Sequence, residues 1–90
     1  MRVLIVEDET RLAALVADGL GRAGIDSEVV HDGNAGLERG SSEPWDAIVL
    51  DILLPGMNGF AVCRELRAAG VATPILMLTA KDGDLSLIHI

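Results

Sequence analysis

Val3-Leu4-Ile5-Val6-Glu7-Asp8-Glu9 opens the chain with four apolar residues in an unbroken run and closes on three acids. A strand buried on both faces reads as a continuous apolar run, whereas a half-solvated strand alternates. The same pattern returns at Ala47-Ile48-Val49-Leu50 before Asp51, and at Ile75-Leu76-Met77-Leu78 before Thr79. Working outward from these runs, the intervening segments read as helices. Thr10 to about Leu20 places Leu12, Leu15, Val16 and Leu20 on one stripe, with Gly21 and Gly24 beyond as stop signals. A second helix is expected from Asn34 to Gly40, followed by a surface loop, Gly40-Ser41-Ser42-Glu43-Pro44. The third runs from Gly59 to Ala69, with Phe60, Cys63 and Leu66 on one face and Gly70 as its stop. A weaker strand over Asp26 to His31 fills the remaining gap, with Ser27, Val29 and His31 alternating against Glu28 and Val30. The element order is therefore β-α-β-α-β-α-β. Strands alternating with single helices imply right-handed crossovers and an α/β doubly wound parallel sheet covered on both faces. Ligands in such sheets sit at the carboxyl ends of the strands.

Composition narrows the function. Fourteen Asp and Glu against seven Lys and Arg give a formal charge of −7, and half the residues are apolar. That is enough apolar content for one small core and argues against disorder. The acidic balance excludes a nucleic-acid or anionic-membrane surface within these residues, because neutralising phosphates needs clustered Lys and Arg. The single cysteine, Cys63, is expected to be a small core residue and to have no disulfide partner, which fits a cytoplasmic setting. The longest N-terminal apolar run, Val3 to Val6, is too short for a signal peptide or a membrane span.

Three acids fall at the expected ligand edge of the sheet: Glu7 and Asp8 after the first strand and Asp51 after the third. Carboxylates brought together repel and desolvate one another unless they share a cation, and hard oxygen ligands suit Mg²⁺. A carboxylate beside such a cation can act as a nucleophile toward a phosphoryl group. The bland alternative is that these acids are solvated or that Asp8 or Thr10 caps the first helix. Asp51-Ile52-Leu53-Leu54-Pro55-Gly56-Met57-Asn58-Gly59 reads as a shaped loop, with Pro at a turn-initiating place and glycines where close approach or positive φ is needed. Fixed in that way, it presents the Leu53 carbonyl toward the same edge. Thr79, the first polar residue after the last apolar run, offers a hydroxyl there.

Taken together, Val3 to Glu9, the loop Asp51-x-x-x-Pro55-x-x-x-Gly59 and Pro74-Ile75-Leu76-Met77-Leu78-Thr79-Ala80 resemble the receiver domain of two-component response regulators. Leu54-Pro55-Gly56-Met57-Asn58-Gly59-Phe60 and Leu78-Thr79-Ala80-Lys81-Asp82 are most similar to regulators that carry a winged-helix DNA-binding domain. The resemblance covers residues 1 to about 84 and implies a flavodoxin-like fold. It implies that Asp51 accepts a phosphoryl group from a sensor histidine kinase or a small phosphodonor in a Mg²⁺-dependent reaction. Asp8 would bind Mg²⁺ directly, Glu7 largely through water, and the Leu53 backbone carbonyl would join Asp51 in the ligand set. Thr79 would be the switch hydroxyl, with Ala80 leaving room beside it. The output would be transcription, the DNA contact lying in a further C-terminal domain, and receivers of the longer protein would pair as a homodimer. The role implied is that of a phospho-accepting signalling domain rather than an enzyme of metabolism.

The pattern also breaks. The family continues after its fourth strand with a helix, a fifth strand ending in a lysine and a fifth helix, so the strand order expected here is 2-1-3-4 with the fifth strand missing. Lys81 is then read as a solvated charge at a helix start, and Ile75 to Leu78 as an apolar edge strand that invites self-association. Residues 1–84 form the partial receiver domain, and Leu85-Ser86-Leu87-Ile88-His89-Ile90 departs from it. Two readings of this tail stand. CTG TCT CTT ATA CAC ATC encodes the same peptide and resembles a transposon-end sequencing adapter; alternatively the alternation makes a genuine short strand able to pair with the sheet edge.

Other functions fit less well. An aspartate-nucleophile phosphatase needs Asp-x-Asp after its first strand, which Glu7-Asp8-Glu9-Thr10 does not supply, and no phosphate-cradling glycine motif is present. A phosphorylation-independent interaction module remains the alternative. Trp45 is expected to cover a core edge, Arg64 and Arg67 to form a solvated helix face, and His31 and His89 to carry no function.

Overall fold

A computed structural model describes the backbone of residues 1–81 and 84–89 and the side chains of residues 1–78 and 87–89. Among the described residues, five strands and three helices follow one another as β1 (Arg2–Val6), α1 (Thr10–Arg22), β2 (Asp26–Val30), α2 (Gly33–Ser42), β3 (Ala47–Asp51), α3 (Gly59–Ala68), β4 (Ile75–Lys81) and β5 (Asp84–His89). The sheet order is β2-β1-β3-β4-β5, with the first four strands parallel. The 2-1-3-4 arrangement and the helices between strands agree with the sequence reading.

Period-2 geometry splits each apolar strand between two cores. Leu4, Val6, Ile48, Leu50, Ile75 and Met77 face α2 and α3, where they meet Val62, Cys63 and Leu66. Val3, Ile5, Ala47, Val49 and Leu78 face α1, against Leu12, Val16, Ala17 and Leu20. Cys63 is buried, as its place on the apolar stripe requires. Two residues assigned to stripes are not on them: Leu15 is 62% and Phe60 57% exposed. At roughly 100° per residue, each lies about a third of a turn from the centre of its helix's buried arc, which Ala13 and Val62 occupy instead.

The second helix is longer than expected at both ends. Asp32 caps it, with Oδ1 accepting from Ala35 N–H at 2.7 Å, so α2 begins at Gly33. At the other end the helix runs through Ser41 and Ser42, where a surface loop was expected. The Ser41 hydroxyl donates to the Leu37 carbonyl at 2.7 Å, and Arg39 pairs with Glu43. Replacing Asp32 by Ala is expected to cost about 1 kcal/mol, the usual worth of such a cap, read as a lower urea midpoint by Trp45 fluorescence.

Trp45 is 6% exposed and closes the core at the amino ends of the strands, away from the acids. Its indole Nε1–H donates to the Arg39 carbonyl at 2.9 Å, and the guanidinium groups of Arg2 and Arg39 lie 4.2 and 5.5 Å from the ring centroid. Arg2 and Arg39 both pair with Glu28 and Glu43, and Arg39 first, then Arg2, holds those two carboxyls below the usual range. Arg67 is more than a solvated charge: its Nη1 donates to the Val71 and Thr73 carbonyls, each at 2.8 Å, fixing the chain after Gly70 (φ +83°).

The far edge of the sheet departs from expectation. β4 continues past Leu78 to Lys81, and β5 pairs with it antiparallel, from Leu76 with His89 to Lys81 with Asp84. Ile75 to Leu78 is therefore not an edge strand, the fifth position is filled, and Lys81 ends a strand rather than starting a helix. The pairing satisfies the row of backbone donors and acceptors that β4 would otherwise expose. Deleting residues 84–90 is expected to cause earlier elution in size exclusion and to lower Tm by about 5 °C or more, the shift that roughly 1 kcal/mol makes in a domain of this size. An unchanged Tm in a monodisperse monomer would show that β5 does not protect the edge.

Candidate functional site

Glu7 follows β1 and Asp51 ends β3, one residue beyond the parallel pair Val6 and Leu50. Parallel register alone thus sets the two acids side by side at the carboxyl end of the sheet. Glu7, Asp8 and Asp51 each offer a carboxylate oxygen, and these oxygens all lie within 4.8 Å of one another.

The three acids are not equivalent. Glu7 is 1% exposed, Asp51 half-buried and Asp8 exposed. One Glu7 oxygen, Oε2, accepts from Glu9 N–H at 2.9 Å, while Oε1 is buried with no hydrogen-bond partner among the described residues. Burial pushes the Glu7 carboxyl up to about 7, against the lowering effect of the Glu9 N–H, with the Asp51 charge adding to the rise. A buried acceptor without a partner is costly, a cost that a cation or a proton at Oε1 would relieve.

Helix capping does not account for the acids. The N-cap of α1 is Glu9, with no side-chain hydrogen bond, so neither Asp8 nor Thr10 serves there. Asp51 Oδ1 accepts from Leu53 N–H at 3.3 Å, the one hydrogen bond to this carboxylate among the described residues. Gly59 lets the loop after Asp51 close on itself: its N–H donates to the Ile52 carbonyl at 2.9 Å, and a Cβ there would lie 2.2 Å from the Asp51 carbonyl oxygen. Asn58 then caps α3, its side chain accepting from Ala61 N–H at 2.9 Å.

Thr79 lies on β4 directly after Leu78, the register partner of Asp51, which brings its backbone to the same edge of the sheet. Its side chain and that of Ala80 lie outside the described residues. His31, to which the sequence assigned nothing, stands beside the acids. Its Nδ1 is 3.0 Å from the Glu7 carbonyl oxygen, and a carbonyl only accepts, so Nδ1 carries the proton. No spacing rule signalled this contact, because it arises from β1 and β2 being neighbours. His89 is exposed on β5.

The family model for the response regulator receiver domain matches residues 3–89. The chain belongs to this family. It is 50% identical over 86 residues to the transcriptional regulatory protein CutR of Streptomyces coelicolor, which covers 96% of this chain and 39% of CutR. It is 42% identical over 82 residues to the transcriptional regulatory protein YclJ of Bacillus subtilis, covering 91% of this chain and 36% of YclJ. This receiver thus spans well under half the length of these curated relatives. Among solved structures, it is similar to TrrA of Thermotoga maritima, a response regulator in complex with Mg²⁺ and BeF, at TM-score 0.84 and 31% identity, covering 90% of this chain and 70% of TrrA. It is also similar to the receiver domain of a Pseudomonas aeruginosa sensor histidine kinase whose active-site cleft coordinates a magnesium ion. There the TM-score is 0.84 and the identity 32%, covering 89% of this chain and 67% of that one. Receiver domains are the phospho-accepting signalling modules of two-component systems, and this one has relatives that regulate transcription. No helix among the described residues is long and apolar enough to cross a membrane.

Proposed function

We propose that this receiver accepts a phosphoryl group on Asp51 in a Mg²⁺-dependent reaction, from a sensor histidine kinase or a small phosphodonor. The observation that carries this reading is the cluster of Glu7, Asp8 and Asp51, with one Glu7 oxygen buried and without a partner among the described residues. Three carboxylates in that setting fit a divalent cation. Asp8, Asp51 and the Leu53 carbonyl would hold the ion directly and Glu7 through water; when bound, Mg²⁺ supplies positive charge that offsets the acids and the incoming phosphoryl oxygens.

The chain's own residues do the rest. A carboxylate oxygen of Asp51 attacks phosphorus, the bond from phosphorus to the donor's imidazole nitrogen or acetyl oxygen breaks, and the donor leaves with that electron pair. An acyl phosphate on Asp51 results. The Leu53 N–H orients the Asp51 carboxylate for that attack. Thr79 serves as the switch hydroxyl that bonds the new phosphoryl group, with Ala80 beside it. The proposed output, in a longer protein, is transcription through a DNA-binding domain, in the cytoplasm and with receivers pairing as a homodimer. Residues 1–84 carry the receiver, and reading the genomic DNA across codon 85 tests whether the six-residue tail is adapter-derived.

Phosphoryl uptake is tested by intact mass after incubation with acetyl phosphate, with and without Mg²⁺. Addition of one phosphoryl group, dependent on Mg²⁺ and labile to base, supports the reading; no addition favours an interaction module that works without phosphorylation.

A further inference from the structure

Gly33 and the turn Pro55-Gly56-Met57 meet backbone to backbone. Gly33 is buried at the first position of α2, and its N–H donates to the Pro55 carbonyl at 3.2 Å. A Cβ on Gly33 would lie 1.9 Å from the Met57 carbonyl oxygen and 2.7 Å from its carbonyl carbon. Because the obstruction is main chain, no side-chain rotation relieves it. From the loop side, Gly56 holds φ +79°, and a Cβ there would come 2.8 Å from Asn34 Nδ2. The segment from Asp51 to Gly59 is thus held at two places, on β3 through Gly59 and on the start of α2 through Gly33. Leu53 lies between these anchors.

We propose that Gly33 is a positioning residue for phosphoryl uptake. By admitting the Pro55–Met57 turn onto α2, it sets where the Leu53 backbone stands relative to Asp51, and it touches neither the ion nor the phosphoryl group. The proposal rests on the reading of Asp51 as acceptor. Its logic is that of groups behind metal ligands generally, whose loss weakens metal affinity or activity by about 10- to 100-fold.

The test compares Gly33→Ala with Gly40→Ala. Gly40 sits on the same helix, but a Cβ there meets only side-chain atoms, Leu66 Cδ2 at 3.2 Å and Ile48 Cδ1 at 3.3 Å. Mg²⁺ affinity is measured by calorimetric titration, the rate of uptake from acetyl phosphate by intact mass, and stability by Tm. Gly33→Ala is expected to raise the Mg²⁺ Kd by about tenfold or more and to slow uptake. Gly40→Ala is expected to keep the wild-type Kd whatever it does to Tm, which separates positioning from general loss of packing. Should Gly33→Ala fail to fold, Gly56→Ala strains the same turn from the loop side, through its φ of +79° and the Asn34 side chain, and is expected to raise Kd in the same direction. A wild type that binds Mg²⁺ and takes up phosphate, beside folded Gly33→Ala or Gly56→Ala that match it, overturns this proposal alone. A wild type that does neither overturns the acceptor reading beneath it.

Discussion

Asp51→Asn is expected to abolish phosphoryl uptake from acetyl phosphate and from a histidine kinase, leaving no added mass under conditions that fully modify the wild type. The amide is nearly the same size, and it can still accept the Leu53 N–H bond at Oδ1. What it lacks is the anionic oxygen that forms the bond to phosphorus. Removing one of three crowded negative charges also relieves repulsion with Glu7 and Asp8, so the variant should melt at or above the wild-type Tm while being inert. That combination separates loss of chemistry from loss of fold. Retained uptake would place the acceptor elsewhere, and Asp8 would be the next side chain to replace.

The second large effect concerns Glu7 in the absence of divalent cations. Its folded-state carboxyl is pushed up to about 7 from 4.5, chiefly by burial. The folded protein therefore binds more protons than the unfolded chain between these values, so the Glu7 contribution is most favourable at low pH and is lost as pH rises through about 7. Above about pH 7 the penalty levels off, on the order of a few kcal/mol. Glu7→Gln keeps the acceptor for Glu9 N–H and cannot ionise. Urea unfolding in EDTA should show the variant and wild type nearly equal at about pH 4.5 and the variant the more stable at about pH 8, by on the order of a few kcal/mol. Adding Mg²⁺ at the higher pH should restore the wild type by binding the native state, and should do less for Glu7→Gln. A difference between the two proteins that does not change with pH would show that Glu7 ionises in the folded state as it does in the unfolded chain.

Much of this was legible before any coordinates. Unbroken apolar runs at Val3, Ala47 and Ile75 announce strands covered on both sides, and each is followed by a residue at the sheet edge where ligands bind. Glycines at 24 and 70 mark turns that do carry φ of +78° and +83°. The misreadings have local causes. Leu15 and Phe60 are apolar residues whose helix phase lies outside the buried arc, and hydropathy alone does not see phase. Gly40 looked like a helix stop, yet α2 runs through it to Ser42, with Leu66 and Ile48 packed close against it.

The sequence by itself determined the class of sheet and the identity of the three acids, since each depends on residue type and on period-2 or period-3.6 spacing; the order of the first four strands followed from the resemblance of its motifs to the receiver family. Tertiary structure alone decided that Glu7 is buried while Asp8 is exposed, that His31 holds the Glu7 carbonyl, that the Pro55–Met57 turn sits on Gly33, and that β5 covers β4. These are contacts between residues far apart in the chain. Their geometry follows from how strands and helices close against one another, and no local periodicity encodes it.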